Sequence, residues 1–258
     1  MNGEEKIDRK EFIKLTGLTA LLGIAGPTAF ELFAQGEMES SSDKPGTIRY
    51  GMVVDSRKCK EGCNDCMSAC HTKHNVPDQP NKKDEIKWIW KEPAKNLFPD
   101  RDYTIEAEIP ANLPFLTLCN HCKNPPCVRV CPTQATWKRE EDGIVMMDYH
   151  RCIGCRFCMA GCPYGARSFN YSEPRKALAK LDPSYPTRTK GVVEKCNFCE
   201  ELAGTGKSPY CVTGCTEGAI TFGDLNDPNS EVRKLLKNNT AIKRKAGLGT
   251  EPSVFYLV

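Results

Sequence analysis

The chain has 258 residues and a formal net charge of +3, with basic and acidic side chains interspersed, which argues against a nucleic-acid binder. No stretch reaches the ~20 apolar residues of a membrane span, and leucine-rich helical periodicity is scarce, so a multi-span membrane protein, a helix bundle and a coiled coil are excluded. Eighteen prolines and 20 glycines favour turns, and 16 cysteines, several times ordinary usage, are left as the organising element.

Residues 1–14 are polar and charged, Leu15 to Phe33 is apolar apart from Glu31, and Ala34 is placed to end a small-residue cleavage site. At the junction, Asp8-Arg9-Lys10-Glu11-Phe12-Ile13-Lys14 resembles the twin-arginine export signal, with Lys10 where the second arginine would stand. Residues 1–35 therefore read as an export signal or an uncleaved anchor, although Gly23, Gly26 and Pro27 interrupt an anchor; an amphipathic helix packed on the domain is the plainer reading. The resemblance implies export of a folded, cofactor-loaded protein to the extracytoplasmic face of the membrane. Residues 36–48, rich in Ser, Asp, Gly and Pro, read as a flexible linker.

The cysteines then fall into four runs with none left over: Cys59, Cys63, Cys66, Cys70; Cys119, Cys122, Cys127, Cys131; Cys152, Cys155, Cys158, Cys162; and Cys196, Cys199, Cys211, Cys215. The third has the spacing C-x2-C-x2-C-x3-C followed by Pro163, the bacterial ferredoxin run. The second keeps the closing C-x3-C with Pro132 and widens one gap to hold Asn124, Pro125 and Pro126. The fourth carries an eleven-residue loop between Cys199 and Cys211. The first opens C-x3-C, where Gly62 is free to take the backbone angles that an extra residue demands. Three thiolates spaced this way wrap one iron–sulfur cubane, and the fourth, displaced beyond a turn, reaches a different one. Runs therefore work in pairs, and four runs predict four 4Fe-4S clusters in two ferredoxin-like pairs. Disulfides would suit an exported chain, but sixteen cysteines in short runs would close many tight loops. Zinc sites separate two C-x2-C knuckles by a dozen residues or more, and attached haem needs C-x2-C-H, which is absent.

Between and after the runs the patterns are short. Lys87-Trp88-Ile89-Trp90-Lys91 alternates as a strand with both indoles on one face, packed onto the domain, with contact to a membrane partner as a second role. Ile144-Val145-Met146-Met147 is expected to pair with Thr136-Trp137-Lys138 across the acidic turn at 140–143. A repeat closes three of the runs: a small residue, Ala135, Ala166 or Ala219, stands four after the last cysteine, and an aromatic, Trp137, Phe169 or Phe222, follows in a short strand. Arg233 to Lys245 reads as a solvated helix and loop, with partner docking second. Arg57, Lys58, Lys60, Arg151, Arg156, Arg167 and Lys195 flank the runs and could offset the roughly −2 that each loaded cluster adds; taken singly, each reads as solvated surface. His71, His74, His121 and His150 are expected to hydrogen-bond backbone or cluster sulfur. No nucleophile–base spacing or phosphate-cradling loop appears, so no catalytic residue is assigned.

Four such runs behind an export signal resemble the four-cluster electron-transfer subunits of respiratory complexes, the iron–sulfur subunits of polysulfide, tetrathionate and dimethyl-sulfoxide reductases and of the nitrite reductase quinol system. The resemblance covers residues 49–258, including the ending Leu248-Gly249-Thr250-Glu251-Pro252-Ser253-Val254-Phe255-Tyr256-Leu257. It departs at Thr216, where a proline often follows the last cysteine. It implies an α+β, loop-rich fold of tandem ferredoxin-like modules, stabilised by clusters. Residues 49–118 plus 190–258 would carry runs one and four, and 119–189 runs two and three. It further implies one cluster on Cys59, Cys63, Cys66 and Cys215 and its neighbour on Cys196, Cys199, Cys211 and Cys70. A third would sit on Cys119, Cys122, Cys127 and Cys162, and the fourth on Cys152, Cys155, Cys158 and Cys131.

His74-Asn75-Val76-Pro77-Asp78, the segment Asp84 to Pro93 and the block Asp148 to Cys162 are similar to the iron–sulfur subunit of the sulfite-reduction-associated complex, the Hdr-like menaquinol oxidoreductase. That likeness implies electron transfer in dissimilatory sulfur metabolism. The implied partners are a quinone-interacting membrane subunit of the polysulfide-reductase type, a multihaem cytochrome c, a b-type cytochrome and a heterodisulfide-reductase-like protein. A molybdopterin reductase at the end of the same wire is the second expectation, and a non-redox zinc or cysteine scaffold the third.

Overall fold

A computed structural model describes residues 47–60, 62–103 and 109–258. The export segment 1–35 and the linker up to residue 46 lie outside the described residues. Strand β1 (Tyr50–Asp55) is apolar on both faces and buried. Helix α1 (Asp65–Lys73) carries the last two cysteines of the first run, and β2 (Ile89–Pro93) leads through the one-turn α2 (Ala94–Leu97) to β3 (Pro114–Leu118). The middle of the chain is made of minimal pieces: α3 (Pro126–Arg129), β4 (Thr136–Lys138), β5 (Val145–Met147), α4 (Phe157–Ala160), β6 (Ser168–Phe169) and β7 (Val193–Glu194). Helix α5 (Tyr210–Thr213), β8 (Ile220–Asp224), α6 (Glu231–Asn238), β9 (Ala241–Ile242) and β10 (Val254–Leu257) complete it. Among the described residues no helix is long and apolar enough to cross a membrane.

The largest sheet has the order β8-β1-β10-β9, with β1 parallel to β10 and antiparallel to β8. Alternation along β1 serves two layers. Met52 and Val54 join Ile220, Val254 and Tyr256 in the main core, whereas Val53 turns to the other face with Leu225 and Leu257. Helix α6 covers that second face with Val232, Leu235 and Leu236. Its first turn is capped by Ser230, whose Oγ accepts from the Arg233 N–H at 3.3 Å. The basic stretch that begins there is thus the solvated side of an amphipathic helix.

The β2–β3 hairpin packs beside the large sheet through Phe98, Phe115 and Tyr256, whose rings meet edge-on with centroids 5.6–5.7 Å apart. Trp88 and Trp90 are both buried. Trp88 Nε1 donates to Glu194 Oε2 at 2.9 Å and Trp90 Nε1 to Glu92 Oε1 at 3.0 Å, so the indoles belong to the core and offer no surface to a membrane partner. Glu194 also receives Asn170 Nδ2 and is paired with the buried Arg188 at 2.6 Å, and Arg188 in turn binds the carbonyls of His74 and Asn75. This pair ties the loop after run one to the approach of run four.

The ribbon β4–β5 forms as the sequence predicts, with Thr136 opposite Met147 and Lys138 opposite Val145. Two strands of three residues are too few to stand alone, and the ribbon leans on the cysteine-bearing loops instead. Those loops pack in pairs: α1 against α5, and α3 against α4. The contacts are equivalent in both pairs. Gly214, just before Cys215, faces Ala69, just before Cys70; Gly161, just before Cys162, faces Val130, just before Cys131. A Cβ on Gly214 would lie 2.5 Å from the Ala69 Cβ. Gly214→Ala should therefore push α1 and α5 apart, at a cost of about 1–3 kcal/mol. A lowered unfolding temperature of the anaerobically loaded protein, with Gly247→Ala, where a Cβ meets open space and φ is not left-handed, as the reference for a surface glycine, would show it.

Candidate metal centres

Each run begins with the same turn. The residue before the second cysteine is left-handed in all four: Gly62 (φ 74°), His121 (φ 40°), Gly154 (φ 71°) and Phe198 (φ 57°). This kink curls the chain so that the first and second cysteines face one point. At Gly62 and Gly154 it is free of side-chain strain, whereas His121 and Phe198 pay about 1–3 kcal/mol each for it. Those two rings stack on each other with centroids 3.7 Å apart, which offsets part of that cost. The third cysteine of each run then lies in a short helix: Cys66 in α1, Cys127 in α3, Cys158 in α4 and Cys211 in α5.

The exits also repeat. Gln134, Gly165 and Gly218, three residues after Cys131, Cys162 and Cys215, are left-handed, and their N–H groups donate to the carbonyls of those cysteines at 3.2–3.4 Å. The next residues, Ala135, Ala166 and Ala219, are buried as their small size predicts. Run one differs because no proline or exit turn follows Cys70. Helix α1 continues to Lys73, and His74 N–H donates to the Cys70 carbonyl at 3.0 Å.

All sixteen thiols are free, and most are buried. The electrostatic contacts between them sort into groups that mix runs. Burial raises Cys59 and Cys66, the latter to about 11, and Cys215 adds to both. Burial holds Cys70 well above its usual range, reinforced by Cys196, Cys211 and Cys199. Cys122 is pushed up to about 12 by burial, with Cys119, Cys127 and Cys162 contributing. Cys158 is raised by burial and by Cys127 and Cys152, against the opposing pull of Arg167. Neighbouring groups touch as well: Cys66 acts on Cys211, Cys119 on Cys196, and Cys127 on Cys158. Cys131 is the exception in sign. Burial would raise it, but the Thr133 hydroxyl and the backbone N–H groups of Thr133, Thr136 and Ala135 surround its sulfur and lower it. Cys155 is exposed, between Ile153 (67% exposed) and Phe157 (59%).

Two flanking cations are not the solvated residues that their positions in the sequence suggest. Arg167 is buried and donates to Cys127 Sγ at 3.2 Å and Thr136 Oγ1 at 2.8 Å. Lys195 is 0% exposed and donates to the carbonyls of Val145 and Cys196. Lys91, which the sequence offered only as the end of an alternating strand, opposes the rise of Cys59 and Cys66 and donates to the Cys63 carbonyl. Arg244 lies over the Tyr164 ring and donates to the Tyr164 carbonyl at 3.3 Å; nothing in its local sequence marks it.

The histidines follow expectation in three cases. His71 Nε2 meets the Ile89 carbonyl at 3.1 Å, His74 Nδ1 the Cys70 carbonyl at 3.0 Å, and His121 Nδ1 accepts the Val145 N–H at 3.0 Å. His150 is exposed, and among the described residues its ring has no hydrogen-bond partner. His74 Nε2 also binds Glu201 at 2.9 Å beside Cys199, making a polar shell around that group of thiols.

These surroundings fit iron–sulfur clusters. Asn120, between Cys119 and Cys122, is buried with neither its Nδ2 nor its Oδ1 hydrogen-bonded among the described residues. Its Nδ2 is a donor that sulfide beside the flanking cysteines would satisfy. Ala219 N–H and Phe198 N–H already point at Cys215 Sγ and Cys196 Sγ, at 3.3 and 3.4 Å.

Free, desolvated thiols gathered under amide donors and buried cations define an iron–sulfur protein. Residues 112–180, spanning runs two and three, match the 4Fe-4S dicluster domain. The chain is 38% identical to the Hdr-like menaquinol oxidoreductase iron–sulfur subunit 1 of Archaeoglobus fulgidus, over 97% of each chain. It is 42% identical to the iron–sulfur cluster-binding subunit of menaquinone reductase from Nitratidesulfovibrio vulgaris, over 84% of this chain and 91% of that one. With the iron–sulfur subunit of the arsenate respiratory reductase of a Shewanella species it shares 36% identity, over 81% of this chain and 96% of the relative. The chain belongs to this family of iron–sulfur electron-transfer subunits of oxidoreductase complexes.

Cluster loading converts thiols into thiolates and releases protons. Because burial lifts Cys66, Cys122 and Cys196 to about 11–12, above an unfolded thiol, the folded chain holds these protons through neutral pH. Anaerobic reconstitution should therefore gain iron per chain as pH rises from 7 to 9, and iron analysis after desalting checks it.

Proposed function

We propose that the chain relays electrons through four 4Fe-4S clusters between a quinone-interacting membrane subunit and a cytochrome or other redox partner, on the extracytoplasmic side of the membrane. The observation that carries this reading is the set of electrostatic interactions that join thiols of different runs: Cys215 with Cys59 and Cys66, Cys70 with Cys196, Cys199 and Cys211, and Cys162 with Cys122. They support a row of clusters on Cys59, Cys63, Cys66 and Cys215; then Cys70, Cys196, Cys199 and Cys211; then Cys119, Cys122, Cys127 and Cys162; and the packing of Val130 on Gly161, α3 against α4, supports a last one on Cys131, Cys152, Cys155 and Cys158. When bound, each cluster supplies a site that stores and passes one electron. Two ferredoxin-like modules, one from runs one and four and one from runs two and three, account for the paired helices. The relatives that bear menaquinol and menaquinone in their names support the quinone link, and the resemblance of residues 8–14 to an export signal supports the location. Within dissimilatory sulfur metabolism, the partners would be a polysulfide-reductase-type membrane protein, a multihaem cytochrome c, a b-type cytochrome and a heterodisulfide-reductase-like subunit.

The protein's residues in this reading hold and insulate. Buried amides and cations stabilise thiolate charge in a dry interior, and no side chain exchanges a proton with a substrate. Among the described thiols Cys155 is exposed, and beside it Ile153 and Phe157 offer an apolar face for a redox partner. The arsenate-reductase relative favours a second reading, the same relay serving a molybdopterin reductase.

Anaerobic purification from native membranes tests both. About sixteen irons, four per cubane, with a haem protein and no molybdenum supports the quinone–cytochrome relay; a stoichiometric molybdenum subunit supports the second. A zinc-loaded, iron-free chain would overturn both. Phe157→Asp should keep the iron and cut quinol-linked reduction by an order of magnitude or more, measured as the rate of cluster bleaching in reconstituted membranes.

A further inference from the structure

We propose that Lys195 is a fixed positive charge shared by the two middle clusters, raising the reduction potentials of both together and leaving the outer two little affected. The inference rests on the four-cluster reading above and adds to it a residue that sets the level of the central step. Lys195 follows Glu194 at the end of β7, where neighbouring side chains leave on opposite sides. Glu194 goes to Arg188, Trp88 and Asn170. Lys195 goes the other way, fully buried, and its ammonium donates to the carbonyls of Val145 and, at 2.8 Å, Cys196. Among the described residues no carboxylate pairs with it, in contrast to Arg188.

A buried ammonium is costly, and carbonyl dipoles repay only part of it: burial lowers the Lys195 pKa from its usual value, while Cys119, Cys196 and Cys127 pull it back up. The charges that face Lys195 are those sulfurs, from both sides of the junction, and at longer reach the Glu200 carboxylate, with Arg167 and the neutral ring of His121 on the other side of the balance. At the same junction Cys119 of one group and Cys196 of the other interact electrostatically. Across it His121 stacks on Phe198, fixing the two turns that present Cys122 and Cys199. Lys195 therefore sits where the second and third groups meet, and its counter-charge is theirs.

A reduced cluster carries one more negative charge than an oxidised one, so a nearby cation favours reduction and raises the potential. The effect falls with distance and acts most on the two groups that Lys195 touches. Because it acts on both, it moves the two levels together and leaves the step between them little changed. The transfer moves one electron between the pair, and Lys195 neither gives nor takes a proton.

The test is a redox titration of the loaded, full-length protein, followed by electron paramagnetic resonance, for the unmodified chain, Lys195→Met and Lys195→Arg. In Lys195→Met with all its iron, two of the four potentials should fall while two hold, and in Lys195→Arg all four should stay near their original values. A full complement of iron with no shift, or an equal fall in all four, overturns the proposal. If Lys195→Met loses clusters while Lys195→Arg keeps them, the charge is what the pair requires and the proposal stands; loss in both variants makes Lys195 a packing residue and overturns it. Fewer than four clusters in the unmodified protein would instead sink the four-cluster reading.

Discussion

Bringing thiols from two distant parts of the chain to one dry point is the requirement that shapes this molecule. Cys215 must reach Cys59 and Cys66, and Cys70 must reach Cys196, Cys199 and Cys211, across well over a hundred residues of chain. The approach is possible because the helices before the fourth cysteines meet through small side chains, Gly214 on Ala69 and Gly161 on Val130. The large sheet follows from the same demand, since β1 enters run one and β8 leaves run four, and their antiparallel pairing fixes those runs side by side. The hydrophobic core is therefore a frame around the thiols.

Charge is the second demand. A thiolate-rich interior is tolerable only where donors and cations surround it. The molecule meets this with backbone amides at Cys131, Cys196 and Cys215, and with cations placed among the thiols: Lys91 beside Cys59 and Cys66, Lys195 near Cys119, Cys196 and Cys127, Arg167 near Cys127, Cys158 and Cys119. Burial alone would lower the pKa of Arg167, yet Cys127, Cys158 and Cys119 raise it, so cation and thiolates stabilise one another. Cys155, which is exposed, also stands where apolar side chains reach solvent.

Where local sequence rules sufficed, expectation and structure agree. Gly62 is left-handed, the β4–β5 ribbon has the foreseen partners, and the small residues after three of the runs are buried. They failed where a residue's surroundings come from elsewhere in the chain. Lys195 and Arg167 looked like surface charges, and only the folded thiols explain their burial. The pattern at Trp88 and Trp90 is read as packing onto the domain, and both are buried; what it does not name is the partner, Glu194, 106 residues from Trp88, which accepts from the first indole. Lys91 and Arg244 carry no local mark at all.

The sequence by itself determined the number of thiols, their division into four runs and hence the class of cofactor, along with the kink at Gly62, because cysteine spacing and turn chemistry are local. The tertiary structure decided how thiol groups from different runs adjoin, which cations are buried among them and where a thiol meets solvent. Those depend on contacts between residues far apart in the chain, set by helix packing and strand pairing that no short segment encodes.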